Sequence, residues 1–146
     1  MLDDDLYSPD AALSQVASRV VLEITERAAL DHVSDVRTRI ASLRALGFRI
    51  AIDDLGAGYA GLSSFAQLEP EVVKIDMSLV RDIHLHATKR KLVRSLTSLC
   101  ADLGLTLVTE GIECAAERDT LVDMGCELLQ GYLFARPSHP LPDPIF

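Results

Sequence analysis

An apolar run that ends in two adjacent acids and a glycine-rich turn, Arg49-Ile50-Ala51-Ile52-Asp53-Asp54-Leu55-Gly56-Ala57-Gly58-Tyr59, limits the chain more than any other stretch. Branched apolar residues followed at once by charge are how a buried strand delivers carboxylates to the mouth of an α/β fold. Neighbouring residues on an extended strand point to opposite sides, so Asp53 and Asp54 serve one centre only if the backbone turns there. Gly56 and Gly58 offer that conformational freedom. Two carboxylates brought together repel unless one is protonated or a cation lies between them, and oxygen ligands suit magnesium, manganese or calcium. Asp-Asp-Leu-Gly also suits a plain turn with Asp54 capping a short helix, so this stretch alone leaves both readings open.

A chain of 146 residues with 49% apolar residues can bury one good core, and a single domain over 1–146 is the expectation. Lys and Arg total 14 against 22 Asp and Glu, a net charge of −8, which excludes the basic footprint of a duplex nucleic-acid binder. An anionic substrate would need cations as intermediaries. Cys100, Cys114 and Cys126 are widely spaced and follow no metal-ligand pattern, so they read as reduced thiols in a cytoplasmic setting. No run approaches the roughly 20 apolar residues of a membrane span, and Met1-Leu2-Asp3-Asp4-Asp5 is acidic where a signal peptide is basic.

Residues 1–18 read as a lead-in, a loop and then a short helix. Arg19 to Glu26 reads as a strand with Glu23 among Val, Leu and Ile; a carboxylate there must be edge-exposed, paired or metal-bound. Val36, Ile40, Leu43 and Leu46 predict a helix over 34–46 stopped by Gly47, leading into the strand that ends at Asp53. Leu62, Phe65 and Leu68 suggest a short helix before Pro70. Glu71 to Asp76 is another strand, whose Lys74 either reaches out to solvent or is held by acids. Met77 to Ala87 reads as a loop, and its His84 and His86 as surface residues. A helix over 88–103, with Leu92, Leu96 and Leu99 on one side, ends at Gly104. Leu105 to Gly111 repeats the pattern of apolar strand, carboxylate (Glu110) and glycine; residues 115–124 form a short helix, and Glu127 to Tyr132 the last strand and turn. The tail over 136–146 is proline-rich and irregular.

About five strands alternating with about four helices are the signature of βα units around a mainly parallel sheet. Each strand carries a polar group near its C-terminal end: Glu23 and Glu26, Asp53 and Asp54, Lys74 and Asp76, Glu110, Gln130. In a βα barrel those ends share one face, where catalytic residues gather, and the repetition favours a metal site over five separate structural accidents.

Five motifs, Leu22-Glu23-Ile24-Thr25-Glu26, Asp53 to Tyr59, Lys74-Ile75-Asp76, Thr109-Glu110-Gly111-Ile112-Glu113 and Gln130 to Pro137, resemble in order and spacing the later two-thirds of an EAL domain, over about residues 18–140. That family comprises bacterial phosphodiesterases cleaving cyclic di-GMP to linear pGpG. The resemblance implies a partial TIM-like (βα) barrel whose N-terminal strands are missing. It implies Glu23, Asp53, Asp54 and Glu110 as metal ligands, with Asp53 bridging two cations, Mg2+ or Mn2+. Lys74 would hold the attacking water, Glu110 would bind metal or activate that water, and Gln130 would support water and phosphate. Glu26 would brace the loop from Leu55 to Gly61, and Asp76 and Glu113 would give further support. Phosphodiester hydrolysis suits this set, because two divalent ions about 3.5–4 Å apart supply hydroxide at neutral pH and neutralise phosphate charge.

The chain departs from the family in lacking the Glu-Ala-Leu tripeptide, the substrate-reading arginine near it and any asparagine. A closed barrel needs about 250 residues. The expectation is therefore an incomplete domain that covers its open edges by forming a homo-oligomer, with cyclic di-GMP as ligand. The competing reading is a non-catalytic cyclic di-GMP receptor or a dimerising regulatory module. The segment itself would not insert into a membrane, although its parent protein could be attached to one through other domains.

Overall fold

The computed structural model of the chain describes residues 4–25, 33–56 and 63–139. Five strands form one sheet in the order of the sequence, β1 (Val21–Thr25), β2 (Arg49–Leu55), β3 (Val72–Ile75), β4 (Thr106–Thr109) and β5 (Leu128–Leu129). Every neighbouring pair is parallel. The connections carry α1 (Val33–Ala45), α2 (Ser63–Leu68), α3 (Met77–Val80), α4 (Ala87–Leu103) and α5 (Ala115–Asp123). This is an α/β architecture, an arc of a TIM-like barrel, in which all strand C-termini open on one rim.

The central strands are near-continuous apolar runs because both their faces are covered. Ile50, Ala51 and Ile52 of β2 and Val73 and Ile75 of β3 are fully buried. One cluster packs α1 and α2 against β2 through Ile40, Leu43, Phe48, Phe65 and Leu68. A second packs Val93 of α4 and Leu121 of α5 around Ile75, Val80 and Ile83, beneath the rim. The opposite end of the sheet is held by Glu71, which accepts from the Arg44 guanidinium (2.7 Å) and the Ile50 amide (2.8 Å). Gly104, with φ +68, closes α4 in the left-handed conformation that glycine adopts without steric cost.

Three local expectations are corrected. The segment from Met77 to Ala87 is not a plain loop: it contains α3 and a 3-10 turn over Ile83–Leu85, because Asp76 caps α3 by accepting from the Ser78 amide at 2.8 Å. The lead-in holds two 3-10 pieces, Asp4–Tyr7 and Ser14–Arg19, in place of one short helix. On α4 the stripe facing the core is Val93, Leu96 and Cys100, and Leu92 is turned out with 49% of its surface exposed. No helix among the described residues is long and apolar enough to cross a membrane.

Candidate functional site

The rim is built from strand ends that parallel pairing brings into register. Pairing of Thr25 with Asp53 sets β1 beside β2, and pairing of Ile75 with Thr109 sets Lys74 and Glu110 on adjacent strands. The Glu110 amide donates to the Ile75 carbonyl and the Asp76 amide to the Leu55 carbonyl, so backbone bonds continue one residue past the strands. Each polar side chain is therefore delivered from a rigid root.

At the centre stands Lys74, whose Nζ lies 2.8 Å from Glu23 Oε1, 3.0 Å from Asp53 Oδ1 and 3.0 Å from Glu110 Oε1. Four strands thus meet at one ammonium, β1, β2 and β3 directly and β4 through Glu110 just beyond its end. The lysine side chain is only 13% exposed. Burial alone would depress its pKa, but the carboxylates of Glu23, Glu110 and Asp53 outweigh it and push the value above the ordinary lysine range. Three carboxylates against one ammonium still leave a net charge of −2. Asp53 Oδ1 is buried, with the Lys74 ammonium at 3.0 Å as an ion-pair partner and no hydrogen bond from another group.

Asp54 joins this cluster by an unusual backbone. Its φ is +60, left-handed for a non-glycine residue, and the β2–β3 register shifts between Ile52 and Leu55. The turn that brings the second acid to the rim is therefore made at Asp54 itself as well as at Gly56, whose φ is +106. Burial raises the Asp54 pKa, Asp53, Asp76 and Glu23 raise it further, and Lys74 opposes them.

Of the remaining positions singled out in the sequence, Asp76 sits beside the cluster with its carboxylate engaged as the α3 cap. Glu113 pairs with Arg81 at 2.5 Å, away from Lys74. Gln130 is placed at the end of β5 by its amide on the Thr109 carbonyl (2.9 Å), and its side chain makes no hydrogen bond to another described residue. Glu26 and residues 57–62 lie outside the described residues. Glu117 and Arg81, which join the connections after β3 and β4, carry almost no signal in the sequence; the one for Glu117 is its spacing from Cys114, that of a capping box.

The donors suit a hard divalent cation: all are carboxylate oxygens, their charge exceeds that of the lysine, and one buried oxygen lacks a hydrogen bond. Among the described residues no three acidic, histidine or cysteine side chains are spaced as ready-made ligands around a single point, because the carboxylates are drawn around the ammonium.

Comparison with known proteins shows what the chain is similar to. The family model described as EAL domain matches residues 10–137. The chain is 40% identical over 124 residues to the probable cyclic di-GMP phosphodiesterase PdeA of Escherichia coli, covering 85% of this chain and 17% of PdeA. It is 34% identical over 120 residues to the cyclic di-GMP phosphodiesterase RocR of Pseudomonas aeruginosa, covering 82% of this chain and 31% of RocR. It thus spans well under half the length of these relatives. BlrP1 of Klebsiella pneumoniae, solved as a complex with calcium and cyclic di-GMP, superposes with a TM-score of 0.85 at 39% identity, covering 94% of this chain and 35% of that one. The same protein solved with manganese and cyclic di-GMP gives a TM-score of 0.83 at 40% identity, covering 90% and 36%.

Proposed function

Because the chain belongs to the EAL domain family, we propose that its rim is the core of a metal-dependent phosphodiesterase centre that hydrolyses cyclic di-GMP to linear pGpG. The observation that carries this reading is the meeting of Lys74 Nζ with Glu23, Asp53 and Glu110, drawn from separate strands. Glu23, Asp53, Asp54 and Glu110 would hold Mg2+ or Mn2+. When bound, the cations acidify water and neutralise phosphate charge. Their positive charge also lets a chain of net charge −8 accept an anionic dinucleotide.

Lys74 keeps its proton at neutral pH, because three carboxylates stabilise the ammonium. It therefore acts as a hydrogen-bond donor and fixed charge, orienting the attacking water and the phosphate, and does not serve as the base. Glu110, 3.0 Å from that ammonium, accepts the proton the water gives up. Gln130 donates its amide to a phosphate oxygen. Water oxygen bonds to phosphorus, the bond to one ribose O3′ breaks, and O3′ leaves taking a proton from solvent water, to which Glu110 returns the one it accepted. Glu26 braces the loop over 55–61, Asp76 holds the β3 connection beside the acids, and Glu113 supports the β4 connection. The chain acts as one EAL-type unit that pairs with a second copy, and its chemistry belongs to the cytoplasm.

The test is release of pGpG from cyclic di-GMP by the 146-residue chain in Mg2+ or Mn2+, beside Glu110→Ala and a chelator control. Metal-dependent turnover abolished by both controls is expected. Turnover indifferent to both refutes the reading, and tight binding without turnover assigns the chain to the receptor class.

A further inference from the structure

The mechanism leaves a buried carboxylate unused. Glu117, on the first turn of α5, is 1% exposed, and burial opposes its charge. The amides of Glu113, Asp82 and Cys114, with help from the Arg81 charge, nonetheless hold its carboxyl below the usual range. Its two oxygens face different parts of the chain. Oε2 accepts from the amides of Glu113 (2.9 Å) and Cys114 (3.3 Å), in the connection that follows β4. Oε1 accepts from the amide of Asp82 (2.8 Å), in the connection that follows β3. The first set caps α5. The Asp82 bond does nothing for α5, and it crosses 35 positions of sequence to a residue whose own backbone is left-handed, φ +56.

Other contacts make these two connections a single body. Arg81 pairs with Glu113 at 2.5 Å. Gly111 lies so close to Met77 that a Cβ there would stand 2.4 Å from the Met77 Cβ. Lys89 of α4 donates to the carbonyls of Ser78 (2.7 Å) and Arg81 (2.6 Å), holding the β3 connection from behind. The roots of the two connections are Lys74 and Glu110, which meet at 3.0 Å.

We propose that Glu117 is a positioning residue of the rim: one buried carboxylate clamps the β3 connection to the β4 connection and so steadies, from beyond the sheet, the strand ends that carry Lys74 and Glu110. An acceptor-only group is what three converging N–H donors require, and glutamine, which would turn an NH2 toward one of them, is not equivalent. The consequence for cation binding rests on the function proposed above, whereas the clamp itself does not.

The experiment compares the full chain with Glu117→Ala and Glu117→Gln by amide hydrogen exchange, by backbone amide chemical shifts and by calorimetric titration with Mn2+. In both variants the Asp82 amide is expected to lose protection, shift changes to reach Lys74 and Glu110, and Mn2+ affinity to fall by about tenfold, the scale of losing a partner that orients metal ligands. Glu117→Gln keeps an oxygen for the α5 amides and carries the test if Glu117→Ala fails to fold. Shift changes confined to residues 113–123, or full recovery of Asp82 protection and Mn2+ affinity in Glu117→Gln, would reduce Glu117 to a helix cap and overturn the proposal. If the unmodified chain takes no Mn2+, the functional reading fails, and the shifts at Lys74 and Glu110 still decide the clamp.

Discussion

Replacing Gly131 by alanine tests the rim at its tightest point. A Cβ on Gly131 would stand 2.1 Å from the Ile112 carbonyl oxygen, 2.3 Å from its nitrogen and 2.7 Å from its carbonyl carbon. All three are backbone atoms, so no side chain can rotate away, and the β5 end must retreat by roughly 1.5 Å to reach ordinary van der Waals contact. That retreat breaks the bonds from the Ile112 amide to the Gln130 carbonyl (3.2 Å) and from the Leu133 amide to the Ile112 carbonyl (3.0 Å). Two net hydrogen bonds at about 1 kcal/mol each and a repacking cost of similar size give a loss of about 3 kcal/mol. With a urea m value of about 2 kcal/mol per molar, the unfolding midpoint falls by about 1.5 M. Gly104→Ala separates this clash from backbone strain, because φ there is +68 and nothing lies within 4 Å of the new Cβ, leaving about 1–2 kcal/mol of strain alone. Equilibrium urea unfolding followed by circular dichroism reads both. A Gly131→Ala midpoint equal to the parent's, or above that of Gly104→Ala, refutes the close approach of the β4 and β5 connections.

Two further outcomes follow from the charges. Lys74→Met leaves three carboxylates of 17–48% exposure facing one another, so the chain should lose about 1–2 kcal/mol at low salt, discounted from the buried-pair scale for solvent screening. Since the Lys74 pKa is raised, its contribution is complete below the ordinary lysine value of about 10.4 and is lost only as pH climbs through the folded value. The urea midpoints of parent and variant should stay apart from neutral pH to about 10.4, and equal midpoints at pH 7 and low salt would contradict the cluster. At the opposite end of the sheet, burial works against the Glu71 charge, but the Arg44 guanidinium and the Ile50 amide hold its pKa below normal. Its contribution is present above the ordinary glutamate value of about 4.3 and lost as pH falls through the depressed one. Glu71→Gln should cost about 1 kcal/mol at pH 7, discounted because the side chain is 39% exposed, and the difference should vanish in acid; a difference that persists at pH 2 would refute the ion pair.

The strands were legible because each is an apolar run too short for a helix and closed by a polar residue, and a parallel sheet covered on both faces demands that pattern. Ile50 to Ile52 and Val72 to Ile75 are the plainest cases. Convergence of their ends follows from the shared strand direction, which predicts one rim for Glu23, Lys74 and Glu110, whereas the ion pairs between them are visible only in the structure. What escaped notice has a common physical origin, in choices made by tertiary contact. On α4, the stripes 92/96/99 and 93/96/100 fit helical spacing equally, and packing against Ile75 and Ile83 selects Val93. Four residues of α3 are too few to show a period, and only the Asp76 cap and the Lys89 anchor make them a helix. Glutamate at 117 resembled a solvated helix residue, because the Asp82 amide that buries it arrives from 35 positions upstream.

The left-handed bend at Asp54 also governs what this position can become. Branched side chains are barred from that backbone, whereas asparagine enters it as readily as aspartate does. A descendant carrying asparagine would keep the bulge, the strand and the sheet while shedding the charge. The charge of the rim can thus be lowered by a single replacement, with no rebuilding of the scaffold that carries it.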